Sequence, residues 1–230
     1  MSRVEVIGDC TLYLGDCREI AESITGIDAV VSDPPYGIDF VCTHKVGKYL
    51  PRFGGVKIYG DDSPFDPSWL LRWPVVLWGA NHFARHLTGG GRWLVWDKRP
   101  TATTSISFSD VEIAWVSGAR SADRIYRQQW AGFRKSGEAH GRPRVHPTQK
   151  PVELMAWCLG FVPDARMILD PYMGSGSTGV ACVKMDRAFT GIEIDQGYFD
   201  TACRRIEEAV RQPRLALATP APVPAQEALI

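Results

Sequence analysis

The stretch that decides the fold covers residues 166–179 and reads Arg-Met-Ile-Leu-Asp-Pro-Tyr-Met-Gly-Ser-Gly-Ser-Thr-Gly. Residues 166–169 predict a buried strand, and residues 177–186 predict a helix. Between them lies Gly174-x-Gly176-x-x-Gly179, a spacing at which glycines let the backbone approach a nucleoside-bearing ligand. A strand, a glycine loop and a helix in this order predict an α/β fold with a binding crevice at the end of the strand.

Two acidic residues flank this loop. Asp170 ends the first strand, and Glu193 lies near the end of the next one, at 188–194, where an acid can bind ribose hydroxyls. A carboxylate at position 170 would repel the pyrophosphate of a dinucleotide, but it suits a ligand that carries an ammonium or sulfonium cation. The loop therefore favours S-adenosylmethionine over NAD, and an NAD-type oxidoreductase is kept as an alternative.

A second unusual stretch is Ser32-Asp33-Pro34-Pro35-Tyr36, at the end of a predicted buried strand. The two prolines remove backbone donors and hold Asp33 and Pro34 extended. The stretch therefore fixes a carboxylate, a backbone carbonyl and a flat ring at one point, which suits the exocyclic amine of a nucleobase. An ordinary proline turn is the alternative interpretation.

The composition is that of a globular protein. Of the 230 residues, 45% are hydrophobic and 23% are charged, which allows a sizeable core. No apolar run approaches the roughly 20 residues of a membrane span, and no signal peptide is visible, so we expect a cytoplasmic protein. The six cysteines form no C-x-x-C pair, which argues against a metal site.

Charge is balanced overall, with 26 basic and 26 acidic residues, but two segments are strongly basic. Residues 41–60 hold four lysines and arginines and no acid, whereas residues 120–150 hold eight against two acids. Two basic islands predict a polyanion-binding face, with solvated loops as the alternative. The nucleic-acid contacts that such a face would supply are Lys45, Lys48, Arg52, Lys57, Arg124, Arg127, Arg134, Lys135, Arg142 and Arg144.

Strands alternate with helices, which predicts one domain over residues 1–212 with a mostly parallel twisted sheet and helices on both faces. Residues 37–66 predict a mobile loop, residues 80–87 predict a helix, and the tail at 213–230 predicts disorder. Residues 118–146 lose the regular pattern and are interpreted as a short target-recognition insertion. Its aromatic residues either stack on displaced bases or join the core: Tyr126, Trp130 and Phe133.

Together these motifs resemble the β group of the DNA amino-methyltransferases, which methylate N6 of adenine or N4 of cytosine. The stretch at 170–176 is similar to the family's cofactor loop, with Tyr172 where phenylalanine is more usual. Asp33-Pro34-Pro35-Tyr36 resembles the catalytic tetrapeptide, and the segment His146-Pro147-Thr148-Gln149-Lys150-Pro151 resembles the one that closes over the methionine moiety. The tetrapeptide precedes the basic region and the cofactor loop, which is the order of the β group.

The resemblance implies a Rossmann-like, S-adenosylmethionine-dependent methyltransferase fold, and no metal. The catalytic residues that it implies are Asp33, Pro34, Pro35 and Tyr36. The cofactor-binding residues that it implies are Asp16, Cys17, Asp33, Thr148, Lys150, Asp170, Pro171, Tyr172, Gly174, Gly176, Ser177, Glu193, Ile194 and Asp195.

The implied function is that of a site-specific DNA methyltransferase of the restriction–modification type, acting on N6 of an adenine that is flipped out of double-stranded DNA. Asp33 and the Pro34 carbonyl would accept the two amine hydrogens, while Tyr36 would stack on the base. An aspartate at position 33 is commoner among the adenine enzymes, so cytosine N4 is the alternative. A non-catalytic DNA-binding protein is a further alternative, and the oligomeric state, a homodimer included, is open.

Overall fold

The computed structural model of the protein describes residues 3–41, 57–99, 109–118, 121–131, 134–135 and 148–212. The strands in these ranges are β1 (Arg3–Ile7), β2 (Cys10–Leu14), β3 (Ala29–Ser32), β4 (Val75–Trp78), β5 (Gly91–Asp97), β6 (Val111–Ser117), β7 (Arg124–Arg127), β8 (Trp130–Ala131), β9 (Arg134–Lys135), β10 (Met167–Asp170) and β11 (Ala188–Glu193). The α-helices are α1 (Cys17–Ile20), α2 (Val152–Leu159), α3 (Ser177–Lys184) and α4 (Gln196–Arg211), and short 3₁₀ helices cover Ala21–Ser23 and Ala84–His86.

One large sheet organises the domain, in the strand order β1-β2-β11-β10-β3-β4-β6-β5-β7. In this sheet only β1 and β6 run against the other strands. All four residues of the central strand β3 are buried, as parallel strands covered on both faces must be. The predicted α/β class with a mostly parallel sheet is confirmed.

The core lies in two layers, one on each face of the sheet. Because successive side chains of a strand point to opposite faces, neighbouring residues of β3 and β4 belong to different layers. The layer under α2, α3 and α4 includes Ala29, Val31, Val76, Trp78, Leu154, Ala181 and Phe199. The layer under α1 includes Val30, Val75, Leu77, Cys17, Leu70 and Phe83. Helices therefore cover both faces, with more helix on the first.

The glycine loop enters α3 in close contact with α4. Gly176, the residue before α3, has φ of 78° in the left-handed region that glycine adopts without strain. A Cβ at this position would also lie 2.9 Å from the Cβ of Ala202 on α4. A side chain at position 176 would therefore separate α4 from the loop that leads into α3.

The helix predicted over residues 80–87 is wrong. The chain there forms turns, and Ala84–His86 is a short 3₁₀ helix. The N–H of Ala80 donates to the carbonyl of Ile113 on β6 at 3.2 Å instead of joining a helical ladder. Contact with the sheet thus overrides the local helix propensity.

The region at 118–146 is more regular than its sequence predicts. β7 lies in this region and pairs with β5 at the edge of the large sheet, while β8 and β9 form a separate two-stranded ladder. Tyr126 packs on Trp157 of α2, and Trp130 is 5% exposed, so these two aromatic side chains belong to the core.

Several predictions concern residues outside the described ranges. These are Phe133, the tail at 213–230 and most of the loop at 37–66, of which residues 37–41 and 57–66 are described. In the described part of the chain, no helix is both long enough and apolar enough to cross a membrane.

Candidate active site

Four neighbouring parallel strands end at one edge of the sheet and bring the predicted motifs together. The end of β2 leads into Gly15, whose N–H donates to the carbonyl of Glu193 at the end of β11 at 2.9 Å. Asp170 ends the adjacent β10, and Asp33 directly follows β3. The carboxyl ends of parallel strands at such an edge are where ligands bind in open α/β sheets.

Asp170 is a buried carboxylate held by neutral donors. The hydroxyls of Ser32 and Thr178 donate to its two oxygens, each at 2.6 Å, and the N–H of Tyr172 donates at 3.1 Å. Burial raises the pKa of Asp170 to about 6, although these hydrogen bonds lower it. Among the described residues, no lysine or arginine forms an ion pair with this carboxylate.

Glu193 connects the glycine loop to the turn before α4. Its Oε2 accepts a hydrogen bond from the N–H of Gly174 at 2.9 Å, and its Oε1 accepts one from the N–H of Asp195 at 2.8 Å. Burial raises the pKa of Glu193 to about 7. Each carboxylate oxygen has a second lone pair, so Glu193 can still accept hydrogen bonds from ligand hydroxyls.

Asp33 lies against two side chains that fix both of its oxygens. The Tyr36 hydroxyl donates to Oδ1 at 2.7 Å, and the Lys150 ammonium donates to Oδ2 at 2.5 Å. Burial raises the pKa of Asp33, against the lowering effect of Lys150. The acid that opens the tetrapeptide is therefore already oriented by its own aromatic residue and by a lysine from a distant segment.

Lys150 also contacts a second acid, Glu112 on β6, at 3.0 Å. Glu112 in turn pairs with Lys98 at 3.0 Å, so charges of opposite sign alternate from Asp33 to Lys98. Burial opposes ionisation of Glu112, but the two lysines lower its pKa to about 2. Sequence reasoning missed Glu112, although a single acid inside an apolar strand was a usable signal.

The segment at 148–151 joins the glycine loop to the tetrapeptide. The Ser177 hydroxyl at the start of α3 donates to the backbone carbonyl of Lys150 at 2.8 Å, and the Trp130 indole donates to the carbonyl of Gln149 at 3.0 Å. The side chain of Lys150 then points to Asp33. Lys150 and Thr148 were predicted to bind the cofactor, and this remains a prediction.

The far end of the tetrapeptide is fixed by Asp61, another residue that the sequence did not reveal. Asp61 is 3% exposed, and its carboxylate accepts hydrogen bonds from the N–H groups of Tyr36, Gly37 and Phe40 at 2.7, 2.8 and 2.7 Å. The ring of Tyr36 stacks on His82 with 5.1 Å between ring centroids. One face of Tyr36 is thus already in aromatic contact.

The remaining predicted cofactor residues surround the same strand ends. Asp16 caps α1 by accepting a hydrogen bond from the N–H of Arg18 at 2.7 Å, and Asp195 caps α4 in the same way. Cys17 is buried, and burial raises the pKa of its thiol, which interacts with the Tyr172 hydroxyl. Pro171, Gly174 and Gly176 lie in the loop after β10, Ser177 begins α3, and Ile194 directly follows β11.

Arg205 of α4 supports this loop and was also missed. Its guanidinium donates to the carbonyl of Ser175 at 2.5 Å and to the Ser175 hydroxyl at 3.0 Å. Burial lowers the pKa of Arg205 to about 10. A basic residue inside a regular amphipathic helix gives no sequence signal of such a contact.

The structure describes only part of the predicted DNA face. Arg124 and Arg127 lie exposed on β7, with Arg127 3.7 Å from Asp97, and Lys57 pairs with Asp39 at 3.1 Å. Arg134 and Lys135 form β9. Outside the described ranges lie Lys45, Lys48, Arg52, Arg142 and Arg144. The DNA face remains a prediction.

This strand edge thus combines one buried acid, Asp170, two partly buried acids, Asp33 and Glu193, and one buried lysine, Lys150. Within the described ranges, no cluster of three or more histidine, cysteine or acidic side chains is arranged to hold a metal ion. Asp170 and Glu193 lie beside the glycine loop, and Asp33 lies beside Lys150. The arrangement offers negative charge to a cationic ligand and a fixed carboxylate to a donor group.

Comparison with known proteins yields one family and several relatives. Residues 93–204 match the N6/N4 family model described as DNA methylase. The chain is 29% identical over 140 residues to the type II methyltransferase M2.MboI of Moraxella bovis, a match that covers 60% of this chain and 49% of that protein. The chain therefore spans about half the length of this curated relative.

Two solved structures share the fold. The PvuII DNA methyltransferase (cytosine-N4-specific) has a TM-score of 0.54 at 14% identity, covering 89% of this chain and 91% of that one. TTHA0409 from Thermus thermophilus, complexed with S-adenosyl-L-methionine, has a TM-score of 0.51 at 17% identity, covering 87% and 94%. The predicted Rossmann-like methyltransferase fold is confirmed.

Proposed function

We propose that this chain is a DNA methylase of the N6/N4 family, as its motifs predicted, and that it transfers a methyl group from S-adenosylmethionine to N6 of adenine in DNA. The observation that carries the proposal is the position of Asp33. Its carboxylate is fixed by Lys150 and Tyr36 at the same strand edge as Asp170 and Glu193. Asp33, which would hold the amine, would thus lie next to the site that would bind the methyl donor.

The charges beside the glycine loop fit the proposed cofactor. S-adenosylmethionine carries an ammonium and a sulfonium, and Asp170 offers a buried negative charge that only neutral donors stabilise among the described residues. Glu193 keeps lone pairs for the ribose hydroxyls. The bound sulfonium would supply a methyl group that is already activated for transfer.

The catalytic contribution of the protein would be positioning and electrostatics. The exocyclic amine of adenine is a weak nucleophile because its lone pair is delocalised into the ring. Asp33 and the Pro34 carbonyl would accept its two hydrogens and favour a tetrahedral nitrogen, with Pro35 as a stiff frame. Tyr36 would hold the base through its ring, after the base has left the duplex at a cost of a few kcal/mol.

The proposed substrate is double-stranded DNA, bound through the basic residues of the two islands. Exposed Arg124 and Arg127 on β7 and Lys57 support this assignment. If the islands make about five phosphate contacts, the logarithm of the binding constant falls against the logarithm of salt concentration with a slope of about −4 to −5. Binding that ignores salt would contradict DNA as the partner of this face.

The decisive experiment is transfer of labelled methyl groups to unmethylated genomic DNA, followed by nucleoside analysis. We expect label in N6-methyladenine. Label in N4-methylcytosine would replace the adenine assignment with the alternative one, and no label in either nucleoside would reject the methyltransferase. The NAD-type oxidoreductase is tested by measuring the melting temperature of the same protein with each cofactor. A rise with NADH and none with S-adenosylmethionine would favour the oxidoreductase.

A further inference from the structure

The Lys150 ammonium contacts three oxygen atoms. Nζ donates hydrogen bonds to Oδ2 of Asp33 at 2.5 Å and to the Tyr36 hydroxyl at 3.2 Å, and it forms an ion pair with Oε2 of Glu112 at 3.0 Å. The side chain is 7% exposed. Its position is thus set jointly by the tetrapeptide and by Glu112, a residue with no assigned role.

Glu112 lies inside the sheet, where a carboxylate without charged partners would be costly. It stands on β6 opposite Trp96 of β5, and its two oxygens contact Lys98 and Lys150. An ion pair between Asp33 and Lys150 alone would be neutral. A second carboxylate on the other side of Lys150 shares the positive charge and leaves more negative potential on Asp33.

This inference rests on the proposed methyl transfer to an amine held by Asp33. We infer that Glu112 is a positioning residue that offsets the charge of Lys150 and so preserves Asp33 as an acceptor for the target amine. In that reaction the nitrogen lone pair forms the new bond to the methyl carbon, while the carbon–sulfur bond breaks and its electron pair stays on sulfur. The nitrogen becomes cationic and then releases one proton to Asp33. Negative potential at Asp33 favours both steps.

The groups that face Asp33 within the described ranges come from several elements. They are Tyr36 of its own segment, Lys150, Glu112 of β6, Asp170 of β10 and Cys158 of α2. Of these, Glu112 is separated from Asp33 by Lys150 and acts on it through charge. Its removal therefore tests charge while leaving the direct contacts of Asp33 in place.

The test compares Glu112→Gln with Glu207→Gln, which removes a carboxylate from an exposed ion pair with Arg211 on α4. The pKa of Asp33 is measured by carboxyl NMR titration of the free protein, and kcat is measured against pH with saturating S-adenosylmethionine and DNA. In Glu112→Gln we expect a lower pKa of Asp33, an acid limb of kcat shifted to lower pH, and a plateau reduced about tenfold or more. Glu207→Gln should match the wild type.

A second variant reverses the sign. Lys98→Met removes the partner that shares the charge of Glu112 on its far side, so the pKa of Asp33 should rise. Loss of kcat in Glu112→Gln without a change in the pKa of Asp33, or the same direction of shift in both variants, would overturn the inference. If both variants show these pKa shifts but the wild type never methylates DNA, the proposed function is rejected instead.

Discussion

The two acidic regions of the strand edge are built differently. Asp170 is held by two hydroxyls and a backbone N–H, and Glu193 by two backbone N–H groups, so both rely on neutral donors in the described part of the molecule. Asp33 instead contacts the ammonium of Lys150, which also binds Glu112. Burial raises the pKa of all three acids, yet only Asp33 has a cation beside it.

This difference indicates two tasks. A carboxylate with neutral donors keeps its negative charge unbalanced, which suits a cationic ligand that supplies the balance when it binds. A carboxylate paired with a fixed lysine keeps its orientation without a ligand. The cofactor side would therefore respond to binding and to pH, whereas the Asp33 side would be organised in advance.

The largest effect should come from removing the carboxylate of Asp33. Asp33→Ala removes the proposed acceptor of the amine, and we expect methyl transfer to fall on the order of 10³-fold or more, because both orientation and charge stabilisation are lost. Affinity for S-adenosylmethionine, measured by calorimetry, should fall much less, because Asp170 and Glu193 remain. The exposed acid Asp164, in the loop before β10, gives the control Asp164→Ala. Normal turnover by Asp33→Ala would remove the tetrapeptide from the mechanism.

The next largest effect should fall on the cofactor side. Gly174 has φ of 50° and donates its N–H to Glu193, so Gly174→Val strains the loop and blocks approach of a ligand. We expect calorimetry to detect no cofactor binding. The matched control is Gly26→Val, which adds a similar strain at φ of 75° where a Cβ has nothing within 4 Å. Equal losses of affinity in both variants would show that instability, not the loop, is the cause.

The fold could be predicted largely from the sequence, because its signals are local. Neighbouring residues alone predict the apolar strands β3, β4 and β10 and the glycine loop before α3. The prediction failed where distant contacts decide. Ala80 gives its N–H to β6, and β7 joins the sheet edge although its sequence alternates poorly.

The site could be predicted only in part, for the same physical reason. The motif residues Asp33, Asp170 and Glu193 lie at strand ends, and parallel strands bring their ends together. Residues that act across the sheet or across a loop have no sequence spacing that identifies their partners: Glu112, Asp61 and Arg205. Their roles depend on which side chains the finished fold places opposite them.

A smaller effect should follow from loosening the tetrapeptide at its other end. Asp61→Asn replaces one carboxylate oxygen by an NH₂ group that faces N–H donors, so the contacts to Tyr36, Gly37 and Phe40 cannot all persist. We expect a loss of about 1–3 kcal/mol in the free energy of unfolding and a roughly tenfold lower kcat with unchanged cofactor affinity. Asp66→Asn, which alters an exposed acid bonded to Ser68, is the control. An unchanged kcat would restrict Asp61 to a stabilising role.

The smallest effect should be the pH dependence of cofactor affinity, which distinguishes the two regions most directly. The pKa of Asp170 is raised to about 6 in the free protein, so lowering the pH protonates the acid and removes the charge that attracts a cation. A cation that binds the ionised form lowers this pKa, and linkage then predicts affinity about fourfold tighter at about pH 7.5 than at about pH 5.5. Calorimetry at both pH values measures this ratio, and Asp170→Asn should abolish it. If the affinity ratio between the two pH values is unchanged in Asp170→Asn, the titrating group is Glu193, whose pKa is raised to about 7.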